Sequence, residues 1–156
     1  MPVTPTPDPR PSPAPDYRTP ADLFDAFAAA FAAGDVDRIA ACYTAPAYVV
    51  TNARTVAFAT RTEVVDGFAT ALAQYRTSGL TSLGYEMHSE TLLGSDLIEV
   101  TIRWSHRGQA ATAVADSYRY LLRRVGGSLR IHVAVVMDDL AVPDPAHSVG
   151  EEPETS

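Results

Sequence analysis

Apolar positions recur at helical spacing through the first half of the chain and alternate through the second. The first helical run opens with TPADLFDAF, where Thr19 caps, Pro20 takes the first helical position and Asp22 completes a box-like start. Leu23, Phe27 and Phe31 follow at spacing four, Phe24 widens the stripe, and Gly34 ends the run at a left-handed position. Asp35 caps a short second helix whose Val36, Ile39, Ala40 and Tyr43 share a face until Pro46 stops it. Residues 47–50 predict a short strand, followed by an irregular stretch from Asn52 to Ala59. A third helix starts at Thr60 with Glu63 in a capping box, buries Val64, Phe68, Leu72 and Tyr75, and closes at Gly79.

Beyond Gly79 the period falls to two. Tyr85 and Met87 alternate with Glu86 and His88, and Ile98, Val100, Ile102 and Trp104 alternate with Glu99, Thr101, Arg103 and Ser105. Two more strands, VADSYRYLL from residue 114 and LRIHVAVVMD from residue 129, flank the turn at Gly126-Gly127. Helices followed by a strand meander predict an α+β layout, with helices on one face of an antiparallel sheet.

Composition narrows the setting. Seven prolines within the first fifteen residues predict a disordered arm over 1–16, and the acidic stretch 143–156 predicts a disordered tail, leaving a single domain over 17–142. Much of the net charge of −7 sits in those tails, and neither balance offers the basic face that nucleic acid requires. No apolar run is long enough to span a membrane and no secretory signal is visible, so a cytoplasmic location is expected. Cys42, the sole cysteine, reads as an inert buried thiol, and the scattered histidines offer no metal-ligand spacing.

Strand alternation places Asp116 on the same face as Tyr118, Tyr120 and Leu122. A carboxylate on an aromatic face has its charged form disfavoured, which raises its pKa and suits it to donate a hydrogen bond. His132 and Asp138 on the last strand share that phase, and Trp104 supplies an aromatic wall. A His132–Asp116 couple would handle protons if the strands bring the two together; it would equally serve as a hydrogen bond satisfying two core polar groups. His88 and His106, nearer strand ends, read as solvated. Arg103, Arg119, Arg123 and Arg130 read as a solvated or interface face, with anion binding as the other reading.

The segment FAAAFAAGDVDRIAACYTAPAYVV, together with DSYRYLLRRVGGSLRI, resembles the nuclear transport factor 2-like superfamily over roughly Thr19 to Asp138. Within it the likeness is to the SnoaL-like polyketide cyclases and ketosteroid isomerases. The resemblance implies a cone: a curved sheet wrapped around three helices, a pocket at the open end, and a homodimer built through the sheet's outer face. It places Asp116 where ketosteroid isomerases keep a protonated aspartate. Their helix-one tyrosine falls on Phe27 and their general base on Thr51, so neither of those groups is retained. The Asp-Arg-Asp pattern of related epoxide hydrolases is also broken, with Val114 and Val136 at two of its positions.

Two functions follow. The preferred one is an enzyme without cofactor that performs acid/base cyclisation, isomerisation or dehydration on a small apolar, polyketide-like molecule. Asp116 and His132 would be catalytic, and Tyr118, Tyr120, Trp104, Thr51, Phe27, Val136 and Asp138 would bind substrate. The other is a non-catalytic ligand-binding or dimerisation module of the same fold, favoured by the broken catalytic patterns.

Overall fold

A computed structural model of the protein describes residues 16–108 and 114–137. Helix α1 (Pro20–Ala33) begins at a reciprocal capping box: the Asp22 N–H donates to Thr19 Oγ1 (3.1 Å) and the Thr19 N–H to the Asp22 carboxylate (3.2 Å). Its stripe of Leu23, Phe24, Phe27, Ala30 and Phe31 is buried. Each large apolar side chain so placed contributes about 1.5–3 kcal/mol relative to exposure. Gly34 ends the helix at φ 72°, a conformation that disfavours any side chain. Helix α2 (Val36–Ala41) follows, capped by Asp35, whose side chain accepts from the Arg38 N–H.

Helix α3 (Arg61–Thr77) is capped by Thr60 and packs beside α2. From its last turn Arg76 Nη2 donates to the carbonyls of Phe31 (3.1 Å) and Ala32 (3.2 Å), satisfying the open end of α1. Gly67 answers a packing need: a Cβ there would stand 2.9 Å from the Phe58 ring.

The strands are β1 (Tyr43–Val50), β2 (Thr55–Phe58), β3 (Leu80–Leu92), β4 (Leu97–Gly108), β5 (Val114–Val125) and β6 (Ser128–Met137). They form one curved, unclosed sheet in the order β2-β1-β6-β5-β4-β3, with β2 and β3 at the edges. The meander from β3 to β6 is antiparallel, and Gly126 and Gly127, both at positive φ, make its tight last turn. Inner-face residues Ile98, Val100, Ile102, Trp104, Tyr120, Leu122, Leu129, Ile131 and Ala134 meet the helices in one core. The α+β cone is therefore the architecture of the chain.

The first strands differ from the periodicity-based expectation. Strand β1 starts at Tyr43 rather than Ala47 and pairs parallel with β6; the register slips between Tyr43 and Tyr48, where Pro46 cannot donate to a ladder. The stretch expected to be irregular contains β2, a four-residue edge strand too short to show a period. Asp138 lies outside the described residues, as do most of the proposed arm and all of the proposed tail.

Two outcomes test this description. Gly34→Ala is expected to cost about 1–2 kcal/mol, the order of a left-handed residue with a Cβ. Gly84→Ala, where a Cβ meets nothing within 4 Å, should be neutral or slightly stabilising; urea melts compare the two. Cys42 is fully buried, and burial pushes its thiol up to about 12. Native protein at pH 8 should thus react very slowly with a disulfide reagent and release one equivalent of thiol only when unfolded, whereas rapid native labelling would contradict the burial.

Candidate functional site

The concave face of the sheet and the three helices enclose a cavity of about 210 Å³. Its wall is mostly carbon: Phe27 and Phe31 from α1, Phe68, Leu72 and Tyr75 from α3, Val49 and Phe58 from the first strands, and Leu83 from β3. The polar groups come from Tyr43, Tyr75, Tyr118, Tyr120, Trp104 and His106. Trp104 and Tyr120 are committed to each other, the indole N–H donating to the phenol at 2.7 Å. Phe24 lies over them, with ring centroids 5.0 Å from Tyr120 and 5.9 Å from Trp104.

His106 is the buried polar side chain on the cavity wall. Alternation along β4 places it on the same face as Ile102 and Trp104, and it is 4% exposed. Asp116 lies directly across from Trp104 on β5, one diagonal step from His106. The Asp116 carboxylate meets His106 Nε2 at 2.8 Å, and its side chain is 37% exposed, so it connects the buried ring to the surface. Tyr75 stacks on the imidazole at 4.8 Å with 18° between planes, and Phe31 meets it edge-on. Among the described residues, the other ring nitrogen, Nδ1, is the one buried side-chain polar atom with no hydrogen-bond partner.

The phenols around this pair are held neutral. Burial is the first cause of a raised pKa at Tyr43, Tyr75, Tyr118 and Tyr120. At Tyr75 the charge of Asp116 adds to it; at Tyr118 the contributions of Tyr75 and then Asp116 do so. At pH 7 the cavity therefore presents neutral hydroxyls and an imidazole tied to a carboxylate. This set can orient a small molecule and transfer a proton. Among the described residues no cluster of histidine, cysteine and acidic side chains could hold a metal ion.

The expected Asp116–His132 couple does not form. On β6, Ile131 pairs with Leu122 and Val133 with Leu121, so His132 is an extra residue in a β-bulge. The bulge breaks the alternation that put His132 in phase with Ala134 and Val136. His132 instead meets Thr44 Oγ1 through Nδ1 at 2.9 Å and the Tyr48 ring edge-on, and lines a different concavity. His106, expected to be solvated, occupies the place proposed for His132. Its phase with Trp104 was the signal in the sequence; its diagonal to Asp116 comes from the register of the folded sheet.

Of the proposed binding residues, Phe27, Trp104, Tyr118 and Tyr120 line the cavity. Val136 is paired with Tyr118 but is not part of the wall. Thr51 is used by the turn between β1 and β2, where its Oγ1 accepts from the N–H groups of Ala53 and Arg54. Among the described residues no helix is long and apolar enough to cross a membrane.

Comparison with known proteins agrees with this fold. The family model described as NTF2-like protein (DUF6841) matches residues 21–139. No curated protein matches the chain. An NTF-2-like protein of unknown function from Shewanella oneidensis MR-1 is similar in structure, with a TM-score of 0.64, 14% identity, and coverage of 76% of this chain and 95% of that one. A putative calcium/calmodulin-dependent protein kinase type II association domain from Thiobacillus denitrificans ATCC 25259 gives 0.62 at 19% identity, covering 80% and 99%. A ketosteroid isomerase-like protein from Erwinia carotovora atroseptica SCRI1043 gives 0.53 at 16% identity, covering 76% and 93%. Such identities establish likeness of fold alone. With the family model spanning helices and sheet alike, the chain belongs to the NTF2-like proteins (DUF6841).

Proposed function

We propose that the cavity binds a small, largely apolar molecule bearing a hydroxyl or an enolisable carbonyl, and that His106, oriented by Asp116, exchanges a proton with it. The observation that carries this reading is the buried His106 on the cavity wall, with Nε2 on Asp116 and Nδ1 without a partner among the described residues. In the tautomer whose Nε2–H donates to the Asp116 carboxylate, Nδ1 keeps its lone pair and is an acceptor. Asp116 stabilises the imidazolium that forms when Nδ1 takes a proton, and its exposed edge offers that charge a route to solvent. The neutral phenols of Tyr75 and Tyr118 are suited to steady a developing oxyanion. Isomerisation, cyclisation and dehydration all begin with such a proton transfer, which keeps the preferred reaction classes and replaces His132 with His106. The absence of two known catalytic patterns, at Phe27 and Thr51 and at Val114 and Val136, favours a second reading, a ligand carrier without turnover.

A thermal-shift panel of polycyclic phenols and ketones, each paired with its parent hydrocarbon, tests the binding. The oxygenated members should stabilise the protein more, and His106→Phe should remove that advantage, a loss of about tenfold in affinity for roughly one hydrogen bond. For ketones that bind, deuterium uptake at the α-carbon reports catalysis. Asp116→Asn should keep the binding and slow the exchange, by at most the roughly 10²–10⁴-fold that the base it orients, His106, contributes. Binding without accelerated exchange in the unaltered protein would leave the carrier reading standing.

The reading includes a homodimer through the outer face of the sheet, where Leu121 and Val133 pair across β5 and β6 and Val135 lies beside Arg119. These half-buried apolar residues form a strip suited to a second copy. Sedimentation at micromolar concentration should give twice the 16.7 kDa chain mass, and a value near the single-chain mass would rule the dimer out.

A further inference from the structure

A second concavity, of about 450 Å³, lies between the first turn of α3, the start of β1 and the β5–β6 hairpin. Three arginines line it, Arg61, Arg123 and Arg130, together with His132 and Thr44, and no carboxylate is among its lining residues. Arg123 and Arg130 stand directly opposite each other on β5 and β6, an arrangement in which like charges repel. Arg130 donates to the Ala41 carbonyl and Arg61 Nη2 to the Asp37 carbonyl, which fixes both heads without neutralising them. Among the described residues the Arg123 guanidinium has no hydrogen-bond or ion-pair partner.

This gathering of positive charge occurs on a chain whose formal net charge is −7, where acids outnumber bases nineteen to twelve. Chance placement would be expected to set carboxylates among the arginines. Holding three guanidinium groups around one hollow with no acid on its wall costs stability unless an anion offsets it. His132 already responds to the local field: burial first, and the charge of Arg123 second, hold its imidazole below the ordinary histidine range.

We propose that this concavity is a second ligand site, distinct from the cavity inside the cone, that binds a phosphate group, free or carried by a small organic molecule. Guanidinium forks match phosphate oxygens in pairs, and a dianion with three or more acceptor oxygens offsets more of the charge of three arginines than one carboxylate does. The hollow falls within the range of small-molecule sites, so it has room for more than the anion. Ala40, Pro46, Val64 and Val125 supply apolar wall for the remainder of a phosphate ester.

Titration of the full chain with phenyl phosphate, inorganic phosphate and benzyl alcohol at constant ionic strength, followed by calorimetry and by the imidazole NMR signal of His132, tests the assignment. Phenyl phosphate should bind saturably and move the His132 signal. Arg123→Gln and, separately, Arg61→Gln should each weaken it tenfold or more. Arg123→Gln should leave the melting temperature in anion-free buffer unchanged or slightly raised, because it removes a repulsion. Tighter binding of phenyl phosphate than of inorganic phosphate identifies a carried phosphate, and equal binding identifies free phosphate; both support the site. No saturable binding of either phosphate, equal binding of benzyl alcohol, or phosphate binding indifferent to both substitutions would overturn it. So would a dimer that dissociates on Arg123→Gln with no response to phosphate, since the arginines would then be serving a second copy. The cone cavity takes no part in these measurements, so their failure would leave its reading untouched.

Discussion

Helix α1 can lie against the concave face of the sheet because the two polar tips beneath it satisfy each other. The Trp104 indole N–H would otherwise be a buried donor and the Tyr120 hydroxyl a buried polar atom, each costing about 1–3 kcal/mol unpaired. Joined at 2.7 Å, they leave an aromatic surface on which Phe24 and Phe27 settle, Phe27 with its ring centroid 5.2 Å from Trp104. This layer fixes the helix, and the helix fixes one side of the cavity. Arg76 completes the arrangement from α3 by closing the carbonyl end of α1, so two walls of the cavity are tied together.

Within that frame the polar chemistry is economical. Most of the cavity wall is apolar, and burial keeps its phenols neutral. His106 is the exception, a buried imidazole hydrogen-bonded to the partly exposed Asp116. A core histidine serving packing alone would be expected to satisfy both nitrogens. Leaving Nδ1 without a described partner stores a hydrogen-bonding capacity that a ligand can use. The stacked Tyr75 and edge-on Phe31 hold the ring plane, so that capacity has a fixed direction.

The two concavities differ in charge. The inner cavity pairs its imidazole with an acid, whereas the outer hollow gathers arginines without one. The bulge on β6 separates the two environments. By turning His132 away from the cone it supplies the outer hollow with an imidazole and leaves the inner face of β6 to Ala134.

Apolar spacing and capping residues by themselves determined the three helices, the meander and the face on which Asp116 lies, because each is set by contacts within a few residues or by strict alternation. Thr19 with Asp22, Gly34 at positive φ and the run from Ile98 to Trp104 were legible for that reason. The burial of Cys42 was legible from its apolar surroundings. The parallel pairing of β1 with β6, the short edge strand β2 and the partner of Asp116 were decided only by the tertiary structure. Parallel pairing joins residues far apart in the chain and leaves no local period. A bulge adds one residue to a strand without changing its composition, so alternation carried across Ile131 and Val133 put His132 on the wrong face. His106 and Asp116 meet through the antiparallel register of β4 and β5, and the folded sheet alone sets which histidine reaches the carboxylate.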